Sequence, residues 1–229
     1  MPTNNLKIVI LGPPTSGKGT RAKIIARELG IEHISTGDMF RAIVLEDSDL
    51  GHQVKTLIDA GNFIPDDLTN EIVKTRLAAL QTGFILDGYP RTLSQANFLN
   101  TISDIHTAFY VKVSDQEAEY RVSGRRACES CGRIYHTEYN RPRVFGRCDD
   151  CYGRLIQRPD DNAEVMRTRL KNYYQLTHPI IEDYQKRDLL VEISGEQDLA
   201  AGLEELSRHL QALAKHHSTA TLPATAPTV

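Results

Sequence analysis

Apolar positions along this chain follow two periods. Leu6-Lys7-Ile8-Val9-Ile10-Leu11 is an apolar run of strand length. Arg21 to Leu29 places Ala22, Ile25, Ala26 and Leu29 at i, i+3, i+4, i+7 helical spacing, and Gly30 supplies a C-terminal stop. Ile31 to Ile34 reads as a second short strand. Ser35 and Asp38 have the spacing of a capping box, which predicts a helix with Met39, Ala42 and Ile43 on its apolar face. A further helix runs from about Asp49 to Ala60, with Leu50, Val54, Leu57 and Ile58 on one side and Gly61 as its stop. Pro65-Asp66-Asp67 opens another, carrying Ile72, Val73, Leu77 and Leu80. No strand separates these helices, so they read as an insertion between the first strands of a sheet.

Gly83-Phe84-Ile85-Leu86-Asp87 is a buried strand ending in a carboxylate, followed by the loop Gly88-Tyr89-Pro90-Arg91-Thr92. Ser94 to Asn100 is predicted helical and Ala108 to Val113 a strand. Ser114 to Glu117 is a second capping box, whose helix runs from Asp115 into Arg121, Arg125 and Arg126. Residues 127–161 carry few helical signals and read as a small separate module. Regular structure resumes near Asn162, with Val165, Met166, Leu170 and Tyr173 on one face, and Pro179 starts or kinks the next helix, which carries Ile180, Ile181 and Tyr184. Leu189 to Ile193 is a last strand. The closing helix, Asp198 to Leu213, holds Leu199, Leu203, Leu206, Leu210 and Leu213 in register. That stripe spans only about two heptads, so it is expected to pack on the sheet and not to form a coiled coil. Residues 215–229, rich in Thr, Ala and Pro, are expected to be disordered.

Composition narrows the picture. At 229 residues the chain suits one sizeable α/β core, or a core with insertions. A net charge of -3 gives no general reason to expect nucleic acid or an anionic membrane as partner. No apolar stretch reaches the roughly 20 residues that span a bilayer. Met1 to Asn5 show no signal-peptide pattern, which predicts a cytoplasmic protein. All four cysteines fall in two C-x-x-C pairs, which in a reducing compartment reads as metal and not disulfide.

The chemistry starts at Gly12-Pro13-Pro14-Thr15-Ser16-Gly17-Lys18-Gly19-Thr20. A strand, a glycine loop ending in Gly-Lys and a helix make a P-loop. Backbone N–H groups of such a loop and of the helix N-terminus converge on phosphate oxygens, and Lys18 adds a point charge that can follow a transferring phosphoryl group. The Ser/Thr that usually follows the lysine is Gly19 here, and the hydroxyl comes one place later, at Thr20. Behind a P-loop, Asp87 has the place of a strand-end aspartate that helps hold Mg²⁺, directly or through water. Arg41, Arg91, Arg121, Arg125, Arg158 and Arg169 are each unremarkable surface charges taken singly. Beside a P-loop they suggest forks that grip phosphates bidentately. The absence of an Asn-Lys-x-Asp stretch speaks against a GTPase.

Cys128-x-x-Cys131 and Cys148-x-x-Cys151 are separated by sixteen residues. Four sulfurs satisfy tetrahedral Zn²⁺ with no open position, which makes such a site structural. Iron–sulfur clusters also take four cysteines, but the short knuckles favour zinc. His136 is the nearby imidazole and is not needed as a ligand.

Together these motifs resemble the adenylate kinase family in its long, zinc-bearing form. The stretches that carry the resemblance are Gly12 to Thr20, Ser35-Thr36-Gly37-Asp38-Met39, Asp87-Gly88-Tyr89-Pro90-Arg91-Thr92, Gly124-Arg125-Arg126 and Arg158-Pro159-Asp160-Asp161, in order over roughly residues 6–213. The resemblance implies an α/β fold: a P-loop nucleoside monophosphate kinase core with a doubly wound, central parallel sheet flanked by helices (1–34, 65–123 and 162–214). To this it adds a helical AMP-binding insert (35–64) and a small zinc-binding lid (124–161). It implies MgATP plus AMP giving two ADP, with structural Zn²⁺, no nucleic acid or membrane partner, and a monomer. By position, the P-loop from Gly12 to Thr20, with Arg121, Arg125, Tyr135 and Gln197, would hold ATP. Thr36, Arg41, Gly88, Arg91, Gln95, Arg158 and Arg169 would hold AMP. Lys18, Arg91, Arg125, Arg158 and Arg169 would act on the moving phosphoryl group. Thr36 and Gln95 would read the AMP base, since related pyrimidine monophosphate kinases typically have Ala and Asn there.

Two positions depart from the family pattern. Thr15 stands where glycine is usual, at a backbone cost that a β-branched residue feels; the expectation is that the loop keeps its shape and activity survives. Gln197 stands where many members carry a lysine near ATP. The nearest rival is a UMP or CMP kinase. A zinc-ribbon nucleic-acid binder is a more distant one: Arg133, Arg141, Arg143, Arg147 and Arg154 would suit it, but Glu129, Glu138, Asp149 and Asp150 interrupt them.

Overall fold

The computed structural model describes residues 5–196, 204 and 206–210. In chain order the elements begin β1 (Lys7–Leu11), α1 (Lys18–Leu29), β2 (Glu32–Ser35), α2 (Thr36–Leu45), α3 (Asp49–Asp59) and α4 (Asp66–Ala78). They continue β3 (Phe84–Asp87), α5 (Leu93–Ile102), β4 (Thr107–Lys112), α6 (Asp115–Gly124), β5 (Arg125–Cys128), β6 (Ile134–His136) and β7 (Leu155–Ile156). Then follow α7 (Ala163–Asn172), a π turn over Tyr173–Thr177, α8 (His178–Lys186) and β8 (Leu190–Ser194).

Five strands form a parallel sheet in the order β2-β3-β1-β4-β8. β1 is central, and both its faces are covered, as parallel sheets require. Ile8 and Ile10 pack with Ala22, Ile25, Phe109 and Val111 on one side. Val9 and Leu11 pack with Leu86, Tyr89, Ile180 and Tyr184 on the other. The chain leaves β1 toward β2 and β3 on one flank and reaches β4 on the other. The crevice beyond the C-terminal end of β1 is therefore the topological switch point where ligands of open α/β sheets bind.

The predicted helical insertion is present as α2, α3 and α4, joined by a small core of Phe40, Val54 and Ile64. Ser35 accepts the Asp38 N–H and Ser114 the Glu117 N–H, so the cap half of each expected box forms. Asp38 and Glu117 then turn to Arg41 and Arg121 instead of reaching back to their caps. The helix expected to run on through Arg125 and Arg126 ends at Gly124. A Cβ at Gly124 would stand 2.3 Å from His136 Nε2, and from Arg125 the backbone is extended and pairs with β6. Residues 125–156 fold as an antiparallel three-stranded sheet, β6-β5-β7, whose interior is little more than Cys128, Tyr135, Cys148 and Leu155. α6 and α7 form its root, packed through Ala118, Val122, Met166 and Leu170. Of the closing helix, residues 204 and 206–210 are described and helical, with Leu206 and Leu210 buried against the sheet as expected. Its remaining residues, Gln197 and the 215–229 tail lie outside the described residues.

Candidate functional site

The loop between β1 and α1 sits at the switch point. Gly12 has φ 150°, and a Cβ there would lie 2.6 Å from Val111 O, so only glycine fits. Thr15 is left-handed at φ 60° and Gly17 at φ 82°; threonine keeps the loop geometry that glycine adopts freely. Gly19 explains the missing hydroxyl. A Cβ there would come within 2.9 Å of Asp87 Oδ2, so the aspartate occupies the space a serine would need. Lys18 Nζ donates to Pro13 O at 3.1 Å, folding the loop over its own lysine. Asp87, at the end of β3, faces this point, and His33 Nε2 on β2 stands 3.6 Å from its Oδ2.

Around Lys18 the structure gathers arginines from distant segments. Arg91 lies over the Phe63 ring at 5.2 Å and donates from Nε to Gly88 O at 2.8 Å. Arg125 pairs with the fully buried Asp161 carboxylate, Nε to Oδ2 at 2.8 Å. Arg169 pairs with Asp160, and Arg41 with Asp38. The electrostatics show how crowded this volume is. Burial, then Arg91, Arg125 and Arg169, lower Lys18 to about 8 against the opposing pull of Asp87. Burial and Arg169 lower Arg91 to about 10; burial, Arg41 and Arg125 lower Arg158 to about 10. Burial works to raise the Asp160 carboxyl, but Arg169 outweighs it and holds the group below the usual carboxylate range. So many cations at mutual expense are a standing demand for a polyanion.

Thr36 and Gln95 lie on the flank formed by α2 and α5. Thr36 Oγ1 donates to Gly88 O at 2.9 Å. Gly88 is at φ 82°, and a Cβ there would meet Thr36 Oγ1 at 2.8 Å and Arg91 Nη2 at 3.0 Å. Gln95 is 2 % exposed, and its amide is already engaged: Nε2 donates to Asp66 Oδ1 and Oε1 accepts the Arg91 N–H, both at 2.7 Å. Asp66, expected only to open a helix, also accepts from Thr92 Oγ1. It is a functional neighbour that periodicity does not reveal, because its partners lie 26 and 29 residues away. Arg121 reaches Gly195 O at 2.8 Å and Ser16 O at 3.5 Å beside the P-loop.

The four cysteine sulfurs lie within 4.8 Å of one another, with Cys128–Cys151 at 3.4 Å and Cys131–Cys148 at 3.5 Å. Four thiolates about 2.3 Å from one ion sit at roughly this spacing, so the set fits a tetrahedral metal. Backbone N–H groups of Asp150 and Cys151 and the Tyr135 hydroxyl point at Cys148 Sγ and outweigh its burial, bringing the thiol to about 6. Tyr135 is 1 % exposed, its hydroxyl 3.4 Å from Cys148 Sγ and accepting the Asp149 N–H at 2.6 Å. Its ring belongs to the interior of the cysteine module.

Comparison with known proteins agrees with this geometry. A family model described as Adenylate kinase matches residues 10–189. An adenylate kinase of Thermosipho africanus is 45 % identical over 208 residues, 88 % of this chain and 97 % of the relative. One of Treponema denticola is 47 % identical over 190 residues, 82 % of this chain and 91 % of the relative. A third, from Methanothrix thermoacetophila, is 43 % identical over 212 residues, 90 % and 98 % of the two chains. The match runs through the P-loop, the helical insertion, the cysteine module and both helices at its root, and the chain belongs to the adenylate kinase family.

Proposed function

We propose that this chain transfers a phosphoryl group reversibly from MgATP to AMP, giving two ADP. The observation that carries the reading is the set of depressed cations, Lys18, Arg91 and Arg158, packed with Arg125 and Arg169 at the mouth of a P-loop. One triphosphate and one monophosphate would neutralise them. The parallel sheet with its flanking helices is the core (1–34, 65–123, 162–214), residues 35–64 the AMP-binding insert and 124–161 the lid.

In this reading the P-loop N–H groups from Gly12 to Thr20 hold the ATP phosphates, with Lys18 following the transferring group. Arg121 lies on the adenine side, and Tyr135 contributes backbone. Gln197 belongs to the same side by position. Arg41 and Arg91 take the AMP phosphate beside Gly88. Arg125, Arg158 and Arg169 converge on the moving phosphoryl group, where charge spreads over the equatorial oxygens. A phosphate oxygen is already a competent nucleophile, so no general base is assigned. Asp87 would hold Mg²⁺, directly or through water, and the ion would supply positive charge against the ATP phosphates. Thr36 and Gln95 flank the AMP base; Gln95 keeps one amide hydrogen and one lone pair beyond those given to Asp66 and Arg91. Closure of the lid would exclude water and protect ATP from hydrolysis. Cys128, Cys131, Cys148 and Cys151 would hold Zn²⁺, stiffening the lid away from the chemistry. Reduced cysteines suit the cytoplasm.

A coupled assay of ADP formation from MgATP with AMP, CMP, UMP and GMP, each against a no-acceptor blank, tests this. Turnover with AMP alone is expected. Turnover with a pyrimidine would overturn the base assignment, and no acceptor-dependent turnover would overturn the transfer itself.

A further inference from the structure

The P-loop is tied to the root of the lid at Thr15. Its Oγ1 lies 2.7 Å from Ala118 O on α6 and 2.6 Å from Pro14 O. A hydroxyl carries one proton, so it donates to one of these carbonyls at a time. Pro14 O belongs to the preceding residue and stays near wherever α6 stands. Ala118 O is 103 residues away and within reach only while α6 lies against the loop. Ala118 is completely buried and packs with Val122, Met166 and Leu170, the contacts that join α6 to α7. Three residues on, Arg121 makes a second tie, through Ser16 O at 3.5 Å. Arg125 begins where α6 ends.

We propose that the Thr15 hydroxyl is a positioning group for the phosphoryl donor. By holding Ala118 O it sets the spacing between the loop that receives the ATP phosphates and the helix that places Arg121 and Arg125. The backbone supports this. Thr15 is left-handed at φ 60°, a conformation β-branched residues resist, and glycine would adopt it at no cost. The side chain must return something in place of that ease, and its hydrogen bond to α6 is the interaction glycine cannot make. The proposal rests on the reading of this loop as the ATP site.

Kinetics with ATP and AMP varied separately, on Thr15→Val and Thr15→Ser, test it. Valine keeps the branching and its backbone cost but has no O–H; serine keeps the O–H. Thr15→Val should raise KM for ATP about threefold to tenfold, the range of one net hydrogen bond, with KM for AMP unchanged. Thr15→Ser should restore the wild-type value. Thr15→Ala, which also lacks the hydroxyl, gives the same readout if valine does not fold. Wild-type kinetics in the variants lacking the hydroxyl, or an equal rise in both KM values, overturns the tether. Lys18→Ala separates the two layers. If it turns over like wild type, the ATP assignment itself is wrong and the tether falls with it. If it loses turnover while Thr15→Val and Thr15→Ala behave as wild type, only the tether is wrong.

Discussion

Arg125 at the first position of β5 grips Asp161, two residues before α7, so one ion pair closes the base of the lid where its two connecting segments meet. The Asp161 side chain is fully buried, while Arg125 keeps some exposure. Removing one partner of such a pair leaves the other uncompensated. Asp161→Asn should lower Tm by several degrees and kcat by about tenfold or more, because Arg125 loses its aim. Thermal melts and steady-state kinetics check both. An unchanged kcat with a lowered Tm would make the pair purely structural.

Lys18 gives a pH prediction whose sign is fixed. Its folded value, about 8, is below the ordinary 10.5. Between these the unfolded chain binds more protons than the folded one, so this group's contribution to stability rises with pH across that window. Below about 8 the half-buried ammonium is a constant burden. Lys18→Met should therefore raise Tm at pH 7 while abolishing turnover, and the gain should shrink as pH climbs from 8 toward 10.5. Paired melts of the two proteins across that range decide it; a variant that melts lower at pH 7 contradicts the assignment.

Gly19 and Asp87 supply a third. A Cβ at Gly19 would come 2.9 Å from Asp87 Oδ2, so Gly19→Ala must displace the carboxylate. The expected result is a higher Mg²⁺ requirement with little change in KM for AMP, read from activity titrated with Mg²⁺ at fixed ATP. An unshifted Mg²⁺ curve would remove Asp87 from the metal's surroundings.

Acceptor choice should move with Thr36 and Gln95. Thr36→Ala combined with Gln95→Asn is expected to lower kcat/KM for AMP at least tenfold relative to UMP and CMP, measured in the same acceptor panel. Because Gln95 also ties Asp66 to the Arg91 backbone, the double variant should lose some stability as well. Unchanged discrimination would make both residues structural.

Chelation of the metal should lower Tm more than kcat, since the four thiolates leave no open coordination position. Stripped protein that keeps its melting temperature but loses activity would refute a structural role.

The P-loop was legible because its glycines mark backbone positions, and φ values follow from residue type at Gly12 and Gly17. The core strands were legible because burial on both faces leaves continuous apolar runs such as Ile8-Val9-Ile10. The arginines could be read only as a set, since nothing local says which surface charge will meet which. Contacts between distant segments left no trace: Gln95 with Asp66, Thr15 with Ala118, His33 with Asp87. Arg125 leaves the helix because it pairs with His136 in the small antiparallel sheet, a contact between segments that helical periodicity does not carry. The packing of the Tyr135 ring toward the cysteines is likewise a contact between separate segments that no local pattern shows.

The lid's interior of Cys128, Tyr135, Cys148 and Leu155 is too small to fold a module by hydrophobic burial alone. With the proposed zinc bound, four thiolates around the ion would take over that task, and order in this segment would rest in part on a binding equilibrium. The parallel sheet needs no such help. On warming without the ion, the phosphate loop would persist beneath a cover that melts first. Metal supply would thereby set the temperature up to which the two parts of the molecule stay ordered together.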